Sequence, residues 1–493
     1  MVGLTNRDSH MEAKPIGSYP RTGIDVLIVG TGLGGLSAAL ECKRKGHDVR
    51  VLERNADINV AGDMYFMGLS GTRWFKHWPE IQQRYHEISL HNAWIETYKH
   101  SGEIMIPPKK VSERLRAAGL DPNLAPGEFQ MRPLVYTMFV DAVEKAGIKI
   151  EFNRKVVDYF EDEARGKGGC IIDDGTRYEA DVVIAADGVG SKSQKLVGGI
   201  VRAESSGRAM WRASFPKEHL DKNPEVKEFF RMQPGNEPIV RTFLGPSTYA
   251  LTLSREDVMV WIMNHDVTGS EEENWNHTID AEEVLQGIDD LPGKWCNIFK
   301  ELVRITPPNT IVNFPLYWRN PQPTWASPAA RVIQVGDCAH SYLPSSGNGA
   351  TQAIEDSISL ASCLQLGGSK ESIPEAVRTH IRFRFIRNAC AQKMGLYNAE
   401  LLQSTDWDKV KLDPRRAAPK HPKWIWEHDP EAYVYENYDK AVVSMRKGVR
   451  MEDETSFEPN YPKGYKYVPW DAYKIMEDMR NGVSLELKPG NWD

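Results

Sequence analysis

Cysteine pairs, long apolar runs and basic stretches are all missing from this chain of 493 residues. Its six cysteines are scattered without a CxxC pair or a zinc-type histidine cluster, which favours reduced thiols over disulfides or a metal site. No apolar run approaches the roughly 18–20 residues that cross a bilayer. The net charge is -7 and no lysine- or arginine-rich stripe stands out, so we expect no nucleic-acid partner and no membrane insertion.

The first 22 residues also lack the apolar region and the cleavage site of a secretory signal. We therefore expect residues 1–22 to form a disordered tail and the protein to be cytoplasmic. A hydrophobic content of 41% and a charged content of 26% are ordinary for a globular protein, and the length allows two or three domains.

A βαβ pattern follows this tail. The β-branched run at 24–29 predicts a buried parallel strand, the stretch at 33–45 has helical spacing, and residues 47–53 alternate as a second strand. Together they have the length of about 30 residues that is expected of one βαβ unit.

A GxGxxG motif, made of Gly30, Gly32 and Gly35, joins the first strand to the helix. The first glycine permits a tight turn, the second lets the backbone approach a pyrophosphate, and the third lets the helix pack against the strand. Glu53 ends the second strand, where it can accept hydrogen bonds from a ribose, and we assign Arg54 beside it to the same cofactor. The motif predicts a dinucleotide but does not separate FAD from NAD.

Two more motifs follow strands farther along the chain. The strand at 181–186 ends in Asp187-Gly188, and the strand at 331–337 leads into a longer motif. That motif runs Gly336-Asp337-Cys338-Ala339-His340, followed by Pro344 and Gly347-Asn348-Gly349. The two motifs resemble the middle and second flavin fingerprints of the single-component aromatic hydroxylases, the para-hydroxybenzoate and salicylate hydroxylase-like monooxygenases, and in particular their fungal branch. The resemblance spans about residues 24–400.

The resemblance implies FAD as the cofactor. Asp337 would accept hydrogen bonds from the ribityl hydroxyls, and Gly347 and Gly349 would let backbone N–H groups reach the edge of the isoalloxazine. Pro344 and Asn348 belong to the same loop. A helix that begins there would direct its positive end at the flavin pyrimidine, where negative charge develops on reduction.

Three further residues are assigned to cofactor binding by the same resemblance. Asp187 and Gly188 would serve both FAD and the nicotinamide, and Arg132 matches an arginine that begins a helix in contact with FAD. For Arg132 the alternative is an ordinary charge on the surface of a helix.

The resemblance also implies two candidates on the substrate side, since residues 206–212 resemble the segment that opens the family's substrate-domain sheet and Asp63 lies in the segment that curls under the flavin in this family. Arg212 could hold a phenolate or protonate the departing peroxide oxygen, and the alternative is a salt bridge within a sheet. Asp63 is its candidate partner, or it only caps a turn. Departures from the family pattern, among them Gln194 and Asn348, put simple benzoate or salicylate hydroxylation in doubt.

The predicted fold is α/β, with a GxGxxG-type FAD-binding domain, an inserted mixed β-sheet substrate domain and a helical C-terminal extension. The predicted bounds are 23–200 and 325–402 for the two parts of the FAD domain, 201–324 for the substrate domain and 403–493 for the extension. We expect a monomer or homodimer.

The predicted activity is FAD-dependent monooxygenation. NADPH or NADH would reduce the flavin, and a flavin C4a-hydroperoxide formed with O2 would transfer one oxygen atom to an electron-rich aromatic or heteroaromatic substrate, in fungal secondary metabolism. The alternatives are an NAD-dependent dehydrogenase and a catalytically inactive flavin-binding scaffold.

Overall fold

The computed structural model describes residues 19–58, 62–198, 203–267 and 277–493. Within these ranges the strands are, in chain order, β1 (Asp25–Val29), β2 (Asp48–Leu52), β3 (Met64–Gly68), β4 (Trp94–Lys99), β5 (Ile104–Lys110), β6 (Gly127–Met131), β7 (Lys149–Glu151), β8 (Val156–Asp162), β9 (Lys167–Ile172), β10 (Arg177–Ala180), β11 (Val182–Ala185), β12 (Glu204–Pro216), β13 (Ile239–Gly245), β14 (Thr248–Ser254), β15 (Val258–Asp266), β16 (Thr278–Ile279), β17 (Ile311–Trp318) and β18 (Val332–Gln334).

The α-helices of the same ranges are α1 (Leu33–Arg44), α2 (Leu69–Thr72), α3 (Pro79–Ile88), α4 (Val111–Ala117), α5 (Arg132–Lys145), α6 (Gln194–Val197), α7 (Pro224–Phe229), α8 (Ala281–Asp289), α9 (Asn297–Arg304), α10 (Gly349–Gly367), α11 (Ile373–Gln403), α12 (Trp407–Leu412), α13 (Lys423–Trp426), α14 (Pro430–Arg446) and α15 (Ala472–Arg480). Among the described residues, no helix is both long and apolar enough to cross a lipid bilayer.

A five-stranded parallel sheet in the order β18-β11-β1-β2-β7 forms the first half of the fold. Its central strands are buried apolar runs, since helices cover one face of the sheet and strands β8, β9 and β10 cover the other. Helices α1, α5 and α10 contribute to the apolar core on one face. The strands at the two ends of the FAD-domain sequence thus meet in one sheet, and the α/β prediction is confirmed.

An eight-stranded mixed sheet in the order β16-β17-β12-β15-β14-β13-β4-β5 forms the second half. One face packs toward the half that holds the parallel sheet, and helices α7, α8 and α9 cover the other. The sheet extends beyond the predicted substrate domain, residues 201–324, because β4 pairs in parallel with β13 and β5 pairs with β4.

Smaller sheets complete the structure. Strands β8, β9 and β10 form an antiparallel sheet beside the parallel one, and β3 pairs with β6. The C-terminal extension is helical, as predicted, and α14 packs against α10 and α11.

A buried ion cluster ties the first helix to this extension. The Glu431 carboxylate of α14 accepts hydrogen bonds from Arg44 at 2.6 Å and from Lys45, and it lies 2.6 Å from the His77 ring. Most of the predicted disordered tail lies outside the described residues. Tyr19, which belongs to its predicted range, is buried because its ring packs under the Lys45 ammonium.

Candidate active site

Three predicted motifs meet at one edge of the parallel sheet. Strands β1, β11 and β18 are neighbours, so Gly30, Asp187 and Gly336 follow strands that end at the same edge. The backbone N–H of Ala186 donates to Val29 at 2.9 Å, and that of Val335 donates to Ala185 at 3.0 Å. This edge is where ligands bind in open parallel sheets.

The glycine turn is shaped by close backbone approaches. Gly30 has a φ of +100°, and a Cβ there would lie 2.5 Å from the Ala186 carbonyl oxygen. A Cβ on Gly35 would lie 2.0 Å from the Gly30 oxygen. A Cβ on Gly32 would meet only that Ala186 oxygen, at 3.9 Å, so Gly32 leaves space in front of the first turn of α1, where N–H groups favour a phosphate.

Glu53 lies beside this turn, at the end of β2. Its buried carboxylate accepts hydrogen bonds from the Thr31 amide at 3.1 Å, the Thr31 hydroxyl at 2.6 Å and the Asn55 amide at 2.9 Å. These donors hold the carboxylate at the rim of the glycine turn. Arg54 is exposed, and its assignment to the cofactor stays a prediction.

The Asp187-Gly188 turn is held against the third motif by the thiol of Cys338. That thiol donates to the Asp187 carboxylate at 3.3 Å, and the Gly188 amide donates to the sulfur at 3.1 Å. Burial raises the pKa of Asp187, although its hydrogen bonds oppose the shift. The Cys338 carbonyl accepts hydrogen bonds from Gln194 at 2.7 Å and from Arg319. Arg319 could not be assigned to this site from the sequence, because it belongs to none of the motifs.

Asp337 provides the clearest indication of a ligand. Its side chain is exposed at the end of β18, and desolvation by neighbouring parts of the chain raises its pKa. No residue in the described ranges hydrogen-bonds with this carboxylate. This carboxylate is free to accept hydrogen bonds from a bound molecule, and a chain of hydroxyl groups such as the ribityl of FAD supplies donors. The glycine turn, Glu53, the Asp187-Gly188 turn and Asp337 together form a cradle, and this cradle fits FAD.

The loop before α10 closes the far side of the cradle. Pro344 begins a 3-10 helix that ends at Ser346, and Gly347 follows with a φ of +60°. The amide nitrogen of the Asn348 side chain donates to the Ser346 carbonyl at 2.8 Å, so this side chain supports the loop. Gly349 then begins α10, whose N-terminal end faces the loop.

Arg132 begins α5 next to the segment that carries Asp63. Its amide donates to the Asp63 carbonyl at 2.7 Å, and its guanidinium lies 5.6 Å from the centre of the Tyr136 ring. A Cβ on Gly62 would lie 2.5 Å from the Arg132 side chain. Burial lowers the pKa of Arg132. The structure thus places Arg132 in the cradle region, and its contact with FAD stays a prediction.

Arg212 and Asp63 form a bidentate ion pair. The Nε and Nη2 atoms of Arg212 donate to the two carboxylate oxygens of Asp63, and both side chains are largely buried. Arg212 lies on β12 of the large sheet. Asp63 precedes β3, which belongs to the half of the fold that holds the parallel sheet and the cradle, here named the flavin half. The pairing expected from the sequence is present, while the catalytic role of either residue stays a prediction.

A buried ion network lies next to the loop that precedes α10. Arg384 donates to Glu355 and to Asp356, and Arg387 donates to both oxygens of Glu355 at 2.8 and 2.9 Å. Asp356 also accepts from the Gly336 amide at 3.0 Å. The network joins α10 and α11 to the end of β18. In the sequence, the arginines of α11 could not be distinguished from charges on a protein surface.

The cradle and the facing sheet define a flavin-dependent oxidoreductase. Residues 25–102 match the family described as FAD binding domain. An FAD-dependent monooxygenase of Gibberella fujikuroi is 37% identical over 487 residues, which cover 96% of this chain and 90% of the relative. One of Cryptosporiopsis is 38% identical over 482 residues, covering 96% and 91%. The chain belongs to this family of fungal FAD-dependent monooxygenases and is itself a flavin monooxygenase.

Solved structures agree with this assignment. CtdE in complex with FAD and substrate 4 is 27% identical, with a TM-score of 0.76 and coverage of 86% of this chain and 100% of that chain. FqzB is 29% identical, with a TM-score of 0.77 and coverage of 92% and 100%. A salicylate hydroxylase substrate complex, 20% identical with a TM-score of 0.64 over 84% and 98%, shares the fold. The dehydrogenase alternative is therefore wrong.

Proposed function

We propose that this enzyme uses NADPH or NADH and O2 to insert one oxygen atom into an electron-rich aromatic or heteroaromatic substrate. The observation that carries the proposal is the Arg212–Asp63 ion pair, which joins the flavin half to the facing sheet. When bound, FAD reduced by the nicotinamide supplies the electrons that activate O2. The protein supplies orientation, charge placement and exclusion of water. The fungal relatives favour a role in secondary metabolism.

The face of the large sheet that points toward the flavin half supports an aromatic substrate. Met210, Leu251 and Phe314 belong to one apolar cluster on this face, and the last two are only partly buried. The Arg212 guanidinium lies 5.7 Å from the centre of the Phe314 ring. Because Asp63 pairs with Arg212, the pair offers polar atoms to this lining without adding a net charge. A planar aromatic ring suits such a lining.

The proposal is tested by incubating the purified yellow protein with NADPH or NADH, dissolved oxygen and a panel of phenols, quinolones and indoles. We expect at least one compound to stimulate nicotinamide oxidation and to gain one oxygen atom by mass. A flavin-binding scaffold would show no stimulated oxidation. Oxidation that yields only hydrogen peroxide for every compound would contradict the proposed substrate class.

Arg212→Ala should leave flavin content normal and lower product formed per nicotinamide oxidised by at least about tenfold, since one charge-assisted hydrogen bond in a transition state contributes on the order of 1.5–3 kcal/mol. Peroxide should rise in proportion. Product mass and peroxide are measured together.

The matched control is Arg241→Ala, because Arg241 forms a buried ion pair with Glu96 at 3.1 Å in the same sheet. Its ring neighbours Phe229 and Phe230 place it with the helix-covered face. We expect this variant to lose stability without a change in coupling. Product formation at the parental rate in Arg212→Ala would make Arg212 a structural residue only.

A further inference from the structure

The segment between α12 and α13 is fastened to α11. The side-chain amide of the fully buried Asn398 donates to the Lys420 carbonyl at 3.1 Å and accepts from the Lys420 amide at 2.8 Å. The indole of Trp426 donates to the His421 carbonyl at 3.1 Å. The backbone on both sides of His421 is therefore held in place.

This anchoring places the His421 side chain against β3 and the loop that precedes α10. Its ring stacks on Phe66, with ring centres 4.7 Å apart and an angle of 25° between the planes. A Cβ on Gly347 would lie 3.4 Å from the His421 ring and 3.5 Å from the Phe66 ring. Phe66 lies on β3, three residues after Asp63, and Gly347 lies in the loop that precedes α10. His421 thus sits where the flavin loop meets β3.

The surroundings of His421 also determine the protonation state of its ring. Burial lowers the pKa of His421 to about 4, and no charged group contributes to this shift. The ring is nevertheless partly accessible, and it has no hydrogen-bond partner among the residues that the structure describes. A neutral imidazole has one ring nitrogen that accepts a hydrogen bond. It offers no positive charge to a carboxylate.

We propose that His421 is a specificity-determining residue, whose ring nitrogen accepts a hydrogen bond from the hydroxyl group of an uncharged aromatic substrate. This inference rests on the proposed function and narrows it to hydroxylated rings. Stacking on Phe66 fixes the plane of the His421 ring and hence the direction of its acceptor nitrogen.

The test measures binding of phenol, 1-naphthol and 1-anthrol, each paired with its methyl ether, to the FAD-loaded enzyme by changes in flavin absorbance. We expect the parent enzyme to prefer at least one hydroxyl compound over its ether by about tenfold, the usual scale of one hydrogen bond. His421→Phe keeps the stacking and should abolish the preference. His421→Gln keeps an acceptor and should restore part of it. FAD affinity should change in neither variant.

The control is His86→Phe, because His86 is exposed on α3; it should keep the parental preference. A preference that survives in His421→Phe overturns the inference, as does loss of FAD affinity in that variant, which would show that His421 contacts the flavin. If the enzyme adds oxygen to an aromatic compound but binds no hydroxyl compound more tightly than its methyl ether, only the role of His421 is refuted. Absence of any oxygen transfer refutes the proposed function instead.

Discussion

Gly32→Ala should yield a folded protein that no longer retains FAD, whereas Gly35→Ala should fail to fold. At Gly32 an added Cβ meets only one backbone atom, at 3.9 Å, and the backbone conformation is open to any residue. The methyl group would instead occupy the space into which the cofactor pyrophosphate must come. We expect FAD affinity to fall by about 100-fold or more, which corresponds to roughly 3 kcal/mol.

At Gly35 the added Cβ would lie 2.0 Å from the Gly30 carbonyl oxygen, and neither backbone can yield without separating α1 from β1. Overpacking against backbone should cost about 3 kcal/mol or more. Circular dichroism of the apoproteins separates the two outcomes, and flavin absorbance after desalting reports binding. A Gly32→Ala protein that keeps its full flavin content would show that the pyrophosphate does not approach this turn.

Glu355→Gln should cause the largest loss of stability among single polar substitutions in the flavin half. Glu355, Arg384 and Arg387 are fully buried. Removing the negative charge of Glu355 leaves the positive charge of Arg387 without its carboxylate partner. Breaking a buried ion pair from one side typically costs about 3–5 kcal/mol. The free energy of unfolding is measured by urea titration. The control, Asp453→Ala, removes the exposed partner of Arg450 and should have no measurable effect.

The same network predicts a dependence on pH. Burial alone would raise the pKa of Glu355, but Arg387 and Arg384 outweigh it and hold that pKa well below its usual range. The stabilisation is therefore complete above the unfolded pKa of about 4 and is lost as the pH falls below that value. The parent protein should lose stability below about pH 4 more steeply than Glu355→Gln. Equal slopes would mean that Glu355 is not ionised in the folded protein.

The parts of the site that could be predicted carry local signals. Gly30, Glu53 and Asp337 each stand directly after a buried strand, and parallel strands bring such positions to one edge. The bidentate pair of Arg212 and Asp63 could be anticipated because both residues lie in segments that resemble a known family.

The parts that could not be predicted depend on distant pairing. Strand β4 joins the large sheet through β13, which lies about 140 residues later, and no alternation within β4 reveals this partner. His421 is a single histidine in an irregular segment, and only the fold brings it to Gly347. Arg384 and Arg387 look like ordinary helical cations until α11 is seen to be enclosed by the C-terminal extension.

The ion cluster around Glu431 has a consequence for the order in which the protein can assemble. Lys45 directly follows α1, the helix after the glycine turn, yet the carboxylate that neutralises it is 386 residues away in the chain. During synthesis the ribosome releases this helix early and its counter-charge almost last. Helix α1 therefore reaches its final surroundings only when nearly the whole polypeptide has emerged.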